Sequence, residues 1–584
     1  MAGRGLNQAD SRVPGPLYSA LAFVVILVVF GIALTSLQPP PPAIAEFAPQ
    51  AQQQIKQSLE EQTSLLGKGP GGGLGPGGSP SPTPSALASL LQTPAPPKVR
   101  LCVGNPPRQI EDPQSPPCVS YWSGDNGGAT YQGVTGDSIT IAVPQYKEIP
   151  FGGYGGPNGA AQFYADLENF FNKRFEFYGR KVHLVDASAG KPGNDPSQPG
   201  AASDPATDRA YADQVYKTFK PFASLRLEGA FGDSQEYNIE MARLGVPSTW
   251  IYSRDTDQTL AQYAPYRWQY PAALNRMEQF FGSWICEQLA GKPARYVGVG
   301  SPDIQGKTRK FGLLFEYSDD LQKAGYDDLT TALAQCNTKF AYTYSYVRND
   351  QSSQDAASTQ TNTLIQMRNA GVTSIALFVS PIGGSNGNTD TSQGAVAWTN
   401  RAQSLGYFPE WLINSYAQMT ENFIGKTMPS QEWRNAFGLT IFPKSVPAAD
   451  NSMYWATREV DPTVTYNNTY DLSAFTQWYK EVLTMMSGLQ MAGPHLTPQT
   501  FMQGLQRTIF PNPDTPQYAG HVRFGPGGFS MTDDAAEVWW SPSAPDRDGS
   551  SGAYCYVDHG TRHRTDWRTD DSVLFTNTCD SGAG

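Results

Sequence analysis

Histidine is scarce in this sequence, 5 among 584 residues, and none opens an HExxH pattern. That removes the helical two-histidine zinc motif of metalloproteases. No two cysteines stand at CxxC spacing, so neither a zinc ribbon nor a thioredoxin-like redox pair is encoded. There is no Walker loop, and no GxGxxG follows a strand-like run. The glycines of Pro70–Gly78 (PGGGLGPGG) have no strand before them and form no phosphate cradle. Basic residues are the minority, 42 against 53 acidic ones for a net charge of −11, which argues against nucleic acid as a partner. Acidic pairs are too common in such a chain to point to hydrolysis.

Long apolar runs are also rare. One stands out, Leu17–Leu37 (LYSALAFVVILVVFGIALTSL), free of charge and of the length that spans a bilayer. Only Arg4 and Arg12 precede it, and Lys56 is the next basic residue. The positive-inside bias therefore places 1–16 in the cytoplasm, 17–37 in the membrane as a signal anchor and everything later outside. The alternative is a secretory signal cleaved after Ala43-Ile44-Ala45, which would release the body. Either way the compartment is oxidising, and six cysteines at 102, 118, 286, 336, 555 and 579 suit disulfides. Fifteen pairings are possible; sequence neighbours are the preferred ones, Cys102–Cys118, Cys286–Cys336 and Cys555–Cys579.

Residues 38–100 are rich in Pro, Gly and Gln and read as a linker. As a flexible coil they would reach roughly 45 Å. Residues 101–136 form a disulfide-containing lead-in. From 137 the texture changes to β-α alternation, which predicts parallel sheets. Strands are expected at Asp137–Val143, Arg180–Ala187, Leu227–Phe231 and Pro247–Tyr252. A second series follows at Phe311–Tyr317, Phe340–Val347, Ser374–Ser380, Glu410–Ser415 and Ala436–Phe442. Among the helices, one starts at Asp204-Pro205 as N-cap and N1. Another follows Ser234, with Asp233 and Glu236 spaced as a capping box and Gly245 as its stop. A third carries Phe475, Trp478, Tyr479, Val482, Leu483 and Met486 on one face. His183 reads as a structural strand residue. His559 and His563 lie four apart, but Gly560 and Cys555 place them in a loop, so no metal site is expected.

The order and spacing of VTGDSITIAVPQ, GAFGDSQ, RLGVPSTWIYS, APYRWQYPA, KTRKFGLLFEYSDDLQKAGYDDL and GVTSIALFVSP make the chain resemble a type 1 periplasmic binding protein of the branched-chain amino acid receptor kind, over roughly 137–560. The resemblance implies an α/β fold of two doubly wound lobes about a cleft. Lobe 1 would hold 137–265 and 443–532, and lobe 2 would hold 268–440 and 533–584. It further implies a small ligand gripped by Gln145, Tyr146, Tyr154, Ser234, Tyr252 and Ser253 on one side. Tyr317, Ser380, Ser415 and Tyr416 would serve on the other. Family members that bind amino acids place an acidic residue where Ser415-Tyr416 stands here. A buried ammonium without an anion is costly, so an amide, aromatic or sugar-like ligand stands level with an amino acid. No cofactor, metal or catalysis is expected. The implied role is solute capture for an ABC importer. The alternatives are a membrane-tethered sensor or surface interaction protein without a transporter and, more remotely, a cell-wall hydrolase.

Overall fold

The computed structural model describes residues 102–103, 107–147, 159–191, 205–225, 228–229, 232–233, 235–250, 255–317, 320–347, 353–381, 394–466, 469–507 and 522–582. The segment 17–37 and the linker 38–100 lie outside them. Among the described residues no helix is long and apolar enough to cross a membrane.

Short apolar runs flanked by turn residues become strands, and the helices between them return the chain in the same direction. The first sheet contains β1 (Ser138–Val143), β2 (Lys181–Asp186), β3 (Ala223–Ser224), β4 (Ser248–Trp250) and β5 (Arg267–Gln269), in the order β2-β1-β3-β4-β5. All its pairs are parallel. Helices α1 (Gly159–Arg174), α2 (Pro205–Phe219) and α3 (Gln235–Arg243) alternate with these strands. Side chains alternate between two cores: Ile141 and Val143 enter one, Ala142 the other.

After α4 (Leu274–Trp284) a second series repeats the plan. It runs β6 (Phe311–Tyr317), α5 (Asp320–Ala334), β7 (Phe340–Val347), α6 (Ser353–Asn369), β8 (Ser374–Phe378), α7 (Ala395–Ser404), β9 (Glu410–Ile413) and β10 (Ala436–Thr440). Its parallel strands lie in the order β7-β6-β8-β9-β10, the same permutation as the first sheet. Three antiparallel strands, β11 (Ala535–Pro545), β12 (Ser551–Tyr556) and β13 (Arg562–His563), extend the far edge. Here too alternate residues feed two cores: Leu313 and Phe315 one, Leu314 the other.

Two later helices, α8 (Thr469–Ala492) and α9 (Pro498–Arg507), return to the first half. Phe475, Trp478, Tyr479, Val482, Leu483 and Met486 all enter the first core. That core spans members from Val134 to Tyr270 and from Met453 to Met531, while Ala272 to Ile441 and Ala535 to Leu574 belong to the second half's cores. The chain therefore changes halves near 271, 441–453 and 532–534. Two of the crossings lie side by side: the Gln269 N–H donates to Phe529 O at 2.8 Å and the Met531 N–H to Gln269 O at 2.9 Å.

One strand expectation needs correction. The parallel strand ahead of α3 is Ala223–Ser224, not 227–231. Glu228–Gly229 instead pairs antiparallel with Gly232–Asp233. Phe222, Ala223 and Leu225 fill the first core beside Ile141, so burial anchors the chain earlier than the apolar run suggests. Glu236 accepts a hydrogen bond from Arg209 at 2.8 Å. Gly245 does end α3, at φ +77, with the Val246 N–H donating to Met241 O. A Cβ there would lie 2.7 Å from the Tyr131 hydroxyl oxygen. Gly245→Ala should therefore cost about 1 kcal/mol from the left-handed backbone alone, and more from the contact, read as a lower urea midpoint.

The three disulfides join Cys102 to Cys118, Cys286 to Cys336 and Cys555 to Cys579. His183 sits 3.4 Å from Glu168. His559 faces Asp580 at 3.0 Å and His563 faces Asp566 at 3.5 Å.

Candidate functional site

In an open parallel sheet, ligands bind outside the carboxyl ends of the strands, where neighbouring crossovers diverge to opposite faces. With the order 2-1-3-4-5 that point falls between β1 and β3 in the first sheet and between β6 and β8 in the second.

At the second of these points the sequence places polar groups. Phe315 pairs with Phe378; one and two residues further on lie Glu316, Tyr317 and Ser380. Ser380 Oγ donates a hydrogen bond to Glu316 Oε1, and Tyr346 Oη donates to Oε2 at 3.4 Å. Glu316, Ser380 and Tyr346 are all buried. Burial, reinforced by the Glu316 carboxylate, pushes the Tyr346 hydroxyl well above the usual phenol range.

The end of β9 is tied in by Asn414, whose Nδ2 donates to Leu377 O at 2.7 Å. The Tyr416 N–H donates to Asn414 Oδ1 at 2.8 Å. Ser415 Oγ bonds Thr420 and Thr440 and accepts the Ile441 N–H at 2.9 Å. Next come two left-handed residues, Ala417 and Gln418, at φ 46 and 68. Such backbone costs of order 1–3 kcal/mol for a residue with a Cβ. The turn brings Gln418 to Gln477 of α8 at 2.7 Å, and Gln477 in turn donates to Glu421 at 2.9 Å.

At the carboxyl end of β1, Gln145 is buried and Tyr146 half-buried. The Tyr146 ring stacks on Tyr164 (5.9 Å, 18°), and Tyr164 stacks on Trp478 (6.0 Å, 8°). Burial raises the Tyr146 hydroxyl, with Glu168 and Asp186 adding to it. One helix, α8, therefore supports the aromatic stack of the first sheet through Trp478 and meets the strained turn of the second through Gln477.

Of the residues singled out from sequence, Gln145 and Tyr146 lie at the carboxyl edge of the first sheet. Tyr317, Ser380, Ser415 and Tyr416 lie at that of the second. Tyr317 is half-buried with Lys323 Nζ 5.3 Å from its ring centre. Ser415 Oγ makes its bonds to Thr420, Thr440 and the Ile441 N–H within the second half. Tyr154, Ser234, Tyr252 and Ser253 lie outside the described residues. Glu316, Tyr346, Gln418 and Gln477 escaped the sequence reading. Glu316 left one signal: it is the sole carboxylate in the apolar strand FGLLFEY, next to its carboxyl end.

No family model matches the chain, and no curated protein matches it. Solved structures do. A solute-binding protein of an ABC transporter from R. palustris, in complex with 4-hydroxybenzoate, is 11% identical. The match covers 71% of this chain and 95% of that one, with TM-score 0.48. A branched-chain amino acid ABC transporter protein from Thermus thermophilus with bound valine is 12% identical, over 72% and 95%, with TM-score 0.46. A substrate-binding protein from Desulfitobacterium hafniense in complex with Leu is 12% identical, over 72% and 99%, with TM-score 0.43. All three of these solved chains are ABC-transporter proteins, each with a small molecule bound.

Proposed function

We propose that this chain is an extracytoplasmic solute-binding protein that closes two lobes over one small polar ligand and delivers it to an ABC importer, with 17–37 as its membrane anchor. The observation that carries this reading is the repeated strand order, 2-1-3-4-5 in each sheet. It gives each half a crevice at its carboxyl edge, and paired crossings at Gln269 and Ser530 form the natural hinge. Six cysteines bound as three pairs accord with an oxidising compartment.

In this reading Gln145 and Tyr146, with Tyr154, Ser234, Tyr252 and Ser253, form one wall. Glu316, Tyr317, Ser380 and Tyr416 form the other. Glu316 supplies the carboxylate that the place of Ser415-Tyr416 lacks, so the wall suits a ligand presenting N–H or O–H donors: an amino acid, amide or sugar-like molecule. Tyr146 offers a flat surface to an aromatic one. Binding stabilises the closed state by its differential affinity.

A thermal-shift screen of amino acids, amides, sugars and aromatic acids identifies the ligand. For the strongest hit, Glu316→Gln and Ser380→Ala should each weaken affinity about tenfold or more, near 1.4 kcal/mol. Ser234→Ala and Tyr416→Ala test the remaining contacts. Unchanged affinity in all four variants would show the site to lie elsewhere.

A further inference from the structure

Helix α8 is unusual in having no exposed side among its described central residues. From Leu472 to Gln490 every residue is buried except Thr476. Its apolar face explains half of this. The other half is a polar stripe, Lys480, Thr484, Ser487 and Gln490, at helical spacing and equally buried. Thr484 and Ser487 donate to the helix's own carbonyls at Lys480 and Leu483, but Lys480 and Gln490 belong in water unless something polar covers them.

The cover comes from the far end of the sequence. Within residues 107–118, Gln109, Glu111, Asp112, Gln114 and Ser115 are each at most 3% exposed. Asp112 takes Lys480 Nζ on both carboxylate oxygens, at 2.6 and 2.7 Å. Its own loop holds it there: the Gln114 N–H donates to Asp112 Oδ1 and the Asp112 N–H to Ser115 Oγ. Ten residues along the helix, Gln490 Nε2 donates to Gln109 Oε1 and to Pro117 O. The Cys102–Cys118 bond closes this segment into a loop. The helix it clamps touches the crossing: Thr484 Oγ1 lies 3.7 Å from Met531 Sδ. The same helix meets the second half through Gln477 and Gln418.

We infer that residues 107–118 are a disulfide-closed strap that limits movement between the two halves. The strap clamps α8, which packs in the first half, touches the crossing through Thr484 and meets the second half through Gln477. Its polar, buried make-up fixes its register, because a slip would strand Lys480 without an anion.

The test uses the full chain, spin-labelled after Lys217→Cys and Asp303→Cys at two exposed positions, one in each half. Opening the loop with Cys102→Ser/Cys118→Ser should broaden the inter-label distance distribution and raise amide exchange along 480–490 at least tenfold. Asp112→Asn should do the same with the disulfide intact. Should Asp112→Asn fail to fold, Asp112→Leu/Lys480→Met removes the pair without leaving a buried charge, and should still broaden the distribution. A distance distribution as narrow as that of the parent, with faster exchange confined to 102–118, would overturn the inference. It would reduce the segment to a local brace. None of these readouts requires a ligand, so the outcome is independent of the binding function proposed above.

Discussion

Arg309→Met should destabilise the protein by about 3–5 kcal/mol, the cost of removing one partner from a buried charge network. Arg309 is fully buried just ahead of β6. Its Nε and Nη2 donate to Glu410 Oε2 and Oε1 at 2.8 and 3.0 Å, and Nη2 also reaches Asp571 at 2.7 Å. Glu410, at the start of β9, further accepts Ser374 Oγ at 2.6 Å and the Tyr296 N–H at 3.0 Å. Three segments far apart in sequence are thus pinned at the amino-terminal edge of the second sheet. Without the guanidinium, the buried Glu410 carboxylate loses its ion partner and Asp571 keeps only the exposed Arg295, 3.4 Å away. The measurement is urea unfolding of parent and variant. Adding Glu410→Gln to Arg309→Met should recover part of the loss. Ligand affinity should not change, because β6 separates this edge from the candidate site by about 20 Å at 3.3 Å per residue.

The second large effect is on pH dependence. Glu432 is buried against Trp411, whose Nε1 donates to Oε2 at 2.9 Å. Burial outweighs that bond and pushes its carboxyl from 4.5 to about 8. Burial likewise raises Glu537 to about 7, against hydrogen bonds from Trp284 and Gln288, and Asp166 to about 6. Burial raises Glu278 well above its ordinary value, with Asp328 adding to it. In each case the unfolded chain ionises first as pH rises, so it binds fewer protons than the folded one. Stability is then fullest below about pH 4 for these groups and declines as pH climbs through each folded value. The slope is up to about 1.4 kcal/mol per pH unit per group. Asp580 and Asp186, held below the usual range, act in the opposite sense but only in stronger acid. The protein should therefore be more stable at pH 5 than at pH 8. Glu432→Gln should flatten the decline between 4.5 and 8 and leave the variant more stable than the parent at pH 8. A parent whose unfolding free energy is level from pH 5 to 8 would contradict this.

Much of the fold was legible because its inner strands are near-continuous buried apolar runs and its edge strands, Lys181–Asp186 and Phe340–Val347, are rich in β-branched and aromatic residues. Phe311–Tyr317 and Phe340–Val347 occupy the very residues expected of them, and the helix beginning at Pro205 starts where its Asp-Pro signal put it. Ala223–Ser224 was invisible because a two-residue strand has no periodicity, and the richer apolar run four residues later drew the assignment. The site was less legible. Glu316 meets Tyr346 30 residues on and Ser380 64 residues on, and no local pattern encodes such a meeting. The same holds for α8. Its apolar face could be read from spacing, but Lys480 of its polar stripe is satisfied by Asp112, 368 residues earlier.

The central claim is that two independently wound halves move about shared crossings to enclose a solute. Small-angle X-ray scattering of the protein with and without the strongest thermal-shift hit tests it most directly. The account predicts a smaller radius of gyration and maximum dimension at saturating ligand. Saturation with neither quantity changed would contradict it.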